Sequence, residues 1–413
     1  MIPLALAEIV RLCPGRLVAA EGADHVIGVE ADSRRIAAGE LFVAVNEAGA
    51  AFTGDALARG AAAALVPEDG FAALSALGGA VRDRSRAHVV GITGSAGKTS
   101  TKDILAAICR PRARAVAAEA SFNNEIGVPL TLCRLEPDTE VCILELAMRG
   151  RGQIAELCAF ARPDVGVITN IGPAHVELLG SLQAIVEAKT ELIAALPPGG
   201  TAIVPADHPV GRDDVTVVRL EEPESRLRDG RTLIRWDGRE IAFDFIARHQ
   251  ARNALAALHA ARAVGLEPED SVDVAFSKWR GEEVTLPDGG LLINDAYNAN
   301  PLSVRAALEH LVERSEGRRT VAVLGEMAEL GDESRRYHEE MGRLAQNLGI
   351  DLVIGVGDPA RSYAPDVWYP DATAAIDMAR DLVHPGDCVL VKGSRAAGLE
   401  IVAEALASVT AEA

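Results

Sequence analysis

The sequence predicts a soluble α/β protein built from three units, with a parallel-sheet nucleotide-binding unit in the middle. Three observations carry this prediction. Short, fully apolar runs recur along the chain and alternate with helix-forming segments, the pattern of a parallel sheet covered on both faces. At 413 residues the chain is too long for a single hydrophobic core. Residues 91–100, GITGSAGKTS, join one apolar run to a helix through a turn that contains glycine.

That turn is the sharpest functional feature. Residues 87–93 (AHVVGIT) suit a buried strand, and residues 98–108 (KTSTKDILAAI) place apolar side chains at helical spacing. A strand, a glycine turn and a helix N-terminus gather unpaired backbone N–H groups and the positive end of the helix dipole at one point. Gly94, Ser95, Ala96 and Gly97 would wrap the phosphates of a nucleotide, together with Lys98, Thr99 and Ser100. Lys98 would reach the outer phosphates as a point charge, and the Thr99 hydroxyl would ligate Mg2+. The strict G-x-x-x-x-G-K-[ST] pattern is not met, because Ile92 stands where its first glycine belongs. The first glycine here is Gly94.

Composition narrows the class. Asp plus Glu outnumber Lys plus Arg by 60 to 41, a formal charge of −19. That argues against a broad nucleic-acid-binding face, while leaving room for a local positive pocket. The six cysteines are scattered, with no C-x-x-C pair, and read as reduced core residues. The N-terminus carries Glu8 and lacks a cationic start, so it does not read as a signal peptide. No apolar run reaches transmembrane length. The expectation is a cytoplasmic protein without membrane insertion.

Along the chain, LFVAV (41–45) reads as a strand, and DALARGAAAALVP (55–67) as helix, glycine stop and strand. These belong to a small α/β unit at 1–84. From 85 to 282 the alternation continues through VCILELAM (141–148), DVGVITNIG (164–172), a helix around 184–196 and TAIVP (201–205). A polar insert at 221–239 looks like hairpin or edge material, and an alanine-rich helix follows at 253–264. From 283 to 413 a third unit repeats the style, without a second phosphate loop.

Several strand ends deliver candidate site residues to the sheet edge where ligands bind. Glu145 closes an apolar strand, as the second magnesium ligand does in phosphate-loop enzymes. His175 and Glu177 follow another. Asn123 and Asn124 sit in a polar loop that can present amides to an anion or simply form a turn. Asp295, Tyr297, Asn298 and Asn300 share the loop NDAYNANP, where Asp295 could hold a ribose hydroxyl and Asn298 a base edge. Lys392, Ser394 and Arg395 suit a carboxylate or phosphate, although a solvated loop would look similar. Lys189, flanked by Glu187 and Glu191, reads as a solvated helix lysine.

Taken together, these stretches resemble the Mur ligase family of ATP-dependent amino-acid and peptide ligases. The resemblance runs nearly end to end: DSR at 32–34, GITGSAGKTSTK, FNNEIGVPLTL, LELAM, ITNIGPAHVELLGS, AKTEL, RHQARNALAA, NDAYNANP, VLGEMAELG and VLVKGSRAAGLE. It implies three domains: an N-terminal substrate-binding unit, a central phosphate-loop ATPase unit and a C-terminal Rossmann-like unit. It also implies ATP and two Mg2+ sites, one on Thr99 and Glu145 and one on His175, with Lys189 carbamylated by carbon dioxide. Asn253 and Asn298 would lie near adenine, Asp295 near ribose and Arg280 near the terminal phosphate. Asp32, Ser33 and Arg34 would seat a uridine nucleotide. FNNEIGVPLT, YNANP and KGSR with GLE imply UDP-N-acetylmuramoyl-tripeptide and D-alanyl-D-alanine as substrates of a monomeric enzyme.

The implied chemistry is carboxylate activation by ATP as an acyl phosphate, followed by attack of an amine. It needs positioning and charge neutralisation, and no protein nucleophile. The sequence departs from the family pattern at Ala48-Gly49-Ala50, Ala247, Gln250 and Asn294. The alternatives are a family ligase for another carboxylate, a nucleotide switch, and a non-catalytic interaction module. A guanine switch would want N-K-x-D, and no asparagine here precedes lysine. A non-catalytic paralogue would have lost Lys98, Glu145, His175 or Lys189.

Overall fold

A computed structural model describes residues 1–174, 176–286, 289–377 and 381–409. Its centre is a six-stranded sheet with every pair parallel. The strand order is Thr216–Leu220, Thr201–Pro205, Val165–Ile168, His88–Thr93, Val141–Glu145 and Ala115–Ala117. The strand His88–Thr93 therefore has later strands on both sides. That reversal of order opens a crevice at the carboxyl end of the sheet, where ligands of such folds bind.

Both faces of this sheet are covered, which explains why its strands are apolar on both sides. Helices Lys98–Cys109 and Arg248–Ala263 pack on one face through Ile104, Leu105, Ala254, Ala257 and Leu258. On the other face, Leu182–Ala194 and Gln153–Ala161 share a core with the N-terminal residues, continuous from Leu4 to Val215. Helix Gly70–Arg84, capped by Asp69, bridges the two units. Arg82 donates to the carbonyls of Ala161 and Arg162, and a Cβ at Gly78 would lie 2.9 Å from the Cα of Pro129.

The N-terminal sheet orders Gly15–Ala19, Ala63–Pro67, Leu41–Val43 and Val29–Glu30, with only its first pair antiparallel. The polar insert forms hairpins, Ser225–Arg228 with Arg231–Trp236 and then Arg239–Phe243. The C-terminal sheet runs Glu282–Thr285, Leu291–Asp295, Cys388–Lys392, Thr320–Leu324, Leu352–Val356 and Val367–Tyr369, antiparallel only at its first pair. Its register sets Asp295 beside Lys392 at the strand ends.

Two boundaries differ from the sequence expectation for physical reasons. The alanine-rich helix starts at Arg248 rather than near 253. In its polar first turns Arg248 and Arg252 face outward while Gln250 and Asn253 are buried toward the phosphate loop, so polarity there does not mark a loop. The strand within DVGVITNIG stops at Ile168, and the TNIG segment leaves the sheet to bond the phosphate loop. All six cysteines are free and buried, and burial raises the Cys109 and Cys142 thiols to about 12. Among the described residues no helix is long and apolar enough to cross a membrane.

Candidate active site

The loop between His88–Thr93 and Lys98–Cys109 can be built only with glycines at two positions. Gly94 has φ +150° and Gly97 has φ +79°. A Cβ at Gly94 would lie 1.9 Å from Thr169 Oγ1, and one at Gly97 would lie 2.3 Å from Asn253 Oδ1. Gly97 also leaves the helix without a side-chain cap, so its first-turn N–H groups face the crevice ready for an anion.

Neighbouring loops fix this turn. Asn170 accepts from Ala96 N–H at 2.8 Å, and Thr169 Oγ1 donates to the Ala96 carbonyl at 2.6 Å. Ser95 donates to the Gly172 carbonyl at 2.9 Å. From the helix above, Gln250 donates to Ser100 Oγ at 3.4 Å and accepts from Asn253 at 2.8 Å. Thr169, Asn170 and Gln250 escaped sequence reasoning as individual site residues. They serve backbone or other side chains rather than ligand; for Thr169 and Asn170 the trace was polar residues after a strand, and Gln250 showed only as a departure from the family pattern.

The cationic and anionic groups converge on the turn. Lys98 Nζ folds back onto the Gly94 carbonyl at 2.8 Å. Burial, opposed by Glu145 and reinforced by Arg280, lowers its pKa. Thr99 Oγ1 donates to Glu145 Oε2 at 2.8 Å, and Asn123 Nδ2 donates to Oε1 at 2.8 Å. Glu145 is only 1% exposed. A hydroxyl and a buried carboxylate side by side are hard oxygen donors, the type Mg2+ takes when a nucleotide supplies the rest of its shell. Among the described residues no group of three or more His, Cys, Asp or Glu side chains is placed to hold a metal. His175, the expected ligand of a second ion, lies outside the described residues.

Lys189 is 2% exposed and makes no hydrogen bond or ion pair among the described residues. Burial, and then the charge of Lys98, hold its pKa well below the usual lysine value. Its neighbours explain the misleading sequence. Glu191 accepts from Gly152 and Ala155 N–H at 2.7 and 3.1 Å, and Glu187 pairs with Arg151 at 2.8 Å. Those acids lie on a different stripe of the helix from Lys189.

The C-terminal unit supplies a second cluster. Lys392 Nζ lies 2.5 Å from Asp295 Oδ2 and 2.9 Å from the Asn298 carbonyl. Burial lowers its pKa, opposed by Asp295. Ser394 Oγ accepts from Ala328 N–H at 2.9 Å. The Arg280 guanidinium sits 3.8 Å from the centre of the Tyr297 ring, and Arg395 lies 4.5 Å from that of Trp279. Beside Arg280 opens a cleft of about 360 Å³, lined by Phe245, Ala247, His249, Gln250 and Phe276. Burial, then His310 and Lys392, bring His249 down to about 3, so it is neutral.

Two expected substrate groups stand elsewhere. Asp32 and Arg34 pair with each other at 2.7 Å, and Arg34 holds the Asp32 carboxyl at about 2. Ser33 between them is buried. Of the two asparagines in FNNE, only Asn123 turns to Glu145. Asn124 accepts from Gly127 N–H at 3.0 Å and shapes its own turn.

A glycine-turned phosphate loop on a parallel sheet, with Arg280 beside its lysine and Asp295 at a strand end of a second sheet, defines a phosphate-loop nucleotide enzyme. Residues 92–261 match the Mur ligase middle domain, and residues 279–395 match the Mur ligase glutamate ligase domain. A UDP-N-acetylmuramoyl-tripeptide–D-alanyl-D-alanine ligase of Mycobacterium tuberculosis is 35% identical, with 98% of each chain covered. A crystal structure of MurF from Acinetobacter baumannii superposes with a TM-score of 0.85 at 26% identity, covering 98% of this chain and 99% of that one. MurF ligase from Thermotoga maritima in complex with ADP gives a TM-score of 0.80 at 27% identity, covering 92% and 97%. The chain belongs to the Mur ligase family.

Proposed function

We propose that this protein is an ATP-dependent amide ligase that joins D-alanyl-D-alanine to UDP-N-acetylmuramoyl-tripeptide, a step of peptidoglycan-precursor synthesis. The observation that carries the reading is the convergence of Lys98, the Thr99–Glu145 pair and Arg280 on one uncapped helix N-terminus. The names of its relatives, and the ADP held by the Thermotoga maritima structure, support it.

In this reading ATP lays its phosphates on residues 94–100 and its base in the cleft beside Gln250 and Arg280. Asn253 and Asn298 lie toward the base and Asp295 toward the ribose. Residues 1–84, with Asp32, Ser33 and Arg34, bind the uridine nucleotide. The units at 85–282 and 283–413 close around ATP. The tripeptide carboxylate attacks the γ-phosphorus, releasing ADP and leaving an acyl phosphate. The amine of D-alanyl-D-alanine then adds to the carbonyl carbon, and the tetrahedral intermediate expels phosphate and leaves an amide. Lys98 and Arg280 neutralise charge that builds on the transferring phosphoryl oxygens, and the half-exposed Arg395 presents a group for the incoming dipeptide carboxylate. Lys392 and Ser394, expected beside it, are buried on Asp295, Asn298, Ala299 and Ala328 and shape that edge instead. Bound Mg2+, held by Thr99 and Glu145 with His175 at a second ion, supplies further charge neutralisation. The free amine of buried Lys189, favoured by its lowered pKa, adds carbon dioxide and loses a proton to become a carbamate anion near Lys98. The enzyme works in the cytoplasm as a monomer, without nucleic acid and without membrane insertion.

The test is phosphate release from ATP with UDP-N-acetylmuramoyl-tripeptide, with and without D-alanyl-D-alanine, and mass spectrometry of the product. Release that requires both, with the pentapeptide formed, is the expected result. Equal ATP turnover without either would refute this substrate pair.

A further inference from the structure

One turn into the phosphate-loop helix, the chain buries an ion pair. Lys102 is 2% exposed, and its ammonium meets Ala118 O at 2.9 Å, Ala120 O at 3.0 Å and Asp103 Oδ1 at 3.0 Å. Three partners satisfy all the donors an ammonium has. Asp103 in turn accepts from the Ser277 N–H at 2.8 Å and from its hydroxyl at 3.3 Å. Adjacent residues on one helix thus grip two loops, one at 118–124 and one leading into Arg280.

The first of these loops reaches three parts of the site. Glu119 pairs with Arg35 at 2.8 Å, next to the Asp32–Arg34 pair. The Ser121 hydroxyl meets the Tyr297 hydroxyl, whose ring carries Arg280. Asn123 holds Glu145. Between them Ala120 takes φ +46°, a left-handed conformation that a residue with a side chain keeps only when its surroundings impose it. A buried ion pair adds little net stability compared with apolar residues of similar size, and its clearest return is fixed geometry.

We propose that Lys102 is a positioning residue for the ligation. Its ammonium locks residues 118–124 so that Asn123 aims Glu145 at the cation and Ser121 steadies Tyr297 beneath Arg280. The proposal rests on the ligase reading for its kinetic consequence, and on the contacts alone for its effect at Glu145.

The experiment compares full-length wild type, Lys102→Met, Asn123→Ala and the double variant. Binding of a fluorescent ADP analogue is titrated with magnesium, and ligation is followed in parallel. Lys102→Met should raise the half-saturating magnesium concentration by ~10-fold to ~100-fold, the usual cost of losing a group that orients a ligand. Asn123→Ala should do the same, and the double variant should be no worse than the poorer single one. Unchanged magnesium dependence in folded Lys102→Met overturns the proposal, as do single effects that multiply in the double variant. Lys102→Gln, which keeps N–H donors without the charge, is the second variant should Met not fold, and a smaller shift in the same direction is expected. No shift in Lys102→Gln also overturns it. A wild type that makes no pentapeptide refutes the ligase reading, while the magnesium titration still decides the role of Lys102.

Discussion

The Asn300 side-chain amide donates to the Ser95 carbonyl at 3.0 Å, tying the head of a C-terminal helix to the phosphate loop. The same side chain caps that helix, Pro301–Ser315, by accepting from Ser303 N–H at 2.9 Å. Two residues on, Leu302 fills the space left by Gly172, where a Cβ would lie 2.3 Å from its Cδ1. Glu177 N–H donates to the Glu329 carbonyl at 3.2 Å on the same side. The C-terminal unit thus rests on the central one through several contacts, and the one that reaches the phosphate loop itself is an amide with two jobs.

Those two jobs can be separated. Asn300→Asp retains an acceptor for the helix cap and loses the donor to Ser95, so the urea midpoint should hold while kcat drops by about tenfold, as for a disturbed closure. Asn300→Ala loses both and should also cost about 1 kcal/mol of stability. Equal kcat in wild type and Asn300→Asp would show that the tether does not serve turnover.

The two loop glycines make a sharper prediction. Gly97→Ala forces a side chain into a backbone at φ +79° and against Asn253. A strain of about 1–3 kcal/mol, borne only by the loop conformation that binds phosphates, predicts roughly tenfold to hundredfold weaker ADP binding by calorimetry. Gly94→Ala, blocked by Thr169 Oγ1, should do at least as much damage. Wild-type affinity in Gly97→Ala would mean that the turn adjusts freely, contrary to its packing.

Lys189 tests chemistry that the encoded residue lacks. Burial, and then the charge of Lys98, push its pKa well below the usual lysine value, which favours the free amine, the form that adds carbon dioxide and releases a proton. Wild type equilibrated with 13C-bicarbonate should show a carbamate carbonyl resonance that is missing from Lys189→Ala. The variant should lose activity, and added bicarbonate should not restore it. A resonance of equal strength in the variant would assign the carbamate elsewhere, and full activity would remove it from the reaction.

What could be read from the sequence follows from what each residue serves. The phosphate loop, Glu145 and the sheet strands were legible, because apolar runs and a glycine turn have one economical structure. Lys189 was legible only through the family resemblance. Its sequence neighbours are acids, and only the helix stripe separates them from it. Asn123 and Asn124 are chemically alike, and nothing local tells which one faces Glu145 and which closes a turn. Asn170, Gln250 and Asn300 bond partners 74, 150 and 205 positions away, separations over which a linear pattern is silent. Nothing in KTSTKDIL sets Lys102 apart, and its burial depends on two loops that close over it.

Acid should weaken the C-terminal unit through Glu283. Burial alone would raise this carboxyl, but hydrogen bonds from His310 at 3.0 Å and Arg314 at 2.8 Å outweigh it and hold the group at about 2, below its ordinary 4.5. The folded state therefore binds this proton less readily than the unfolded chain, and stability rises with pH wherever the unfolded state holds more protons. The contribution of Glu283 is complete above 4.5 and drains away as pH falls toward about 2. Since Glu283 lies on the first strand of the C-terminal sheet and His310 and Arg314 on the helix covering it, the loss should loosen that strand. Glu283→Gln should lower the urea midpoint at pH 7 and flatten its pH dependence across this acid window relative to wild type. Parallel pH curves for the two proteins would show that the ion pair carries none of the acid sensitivity.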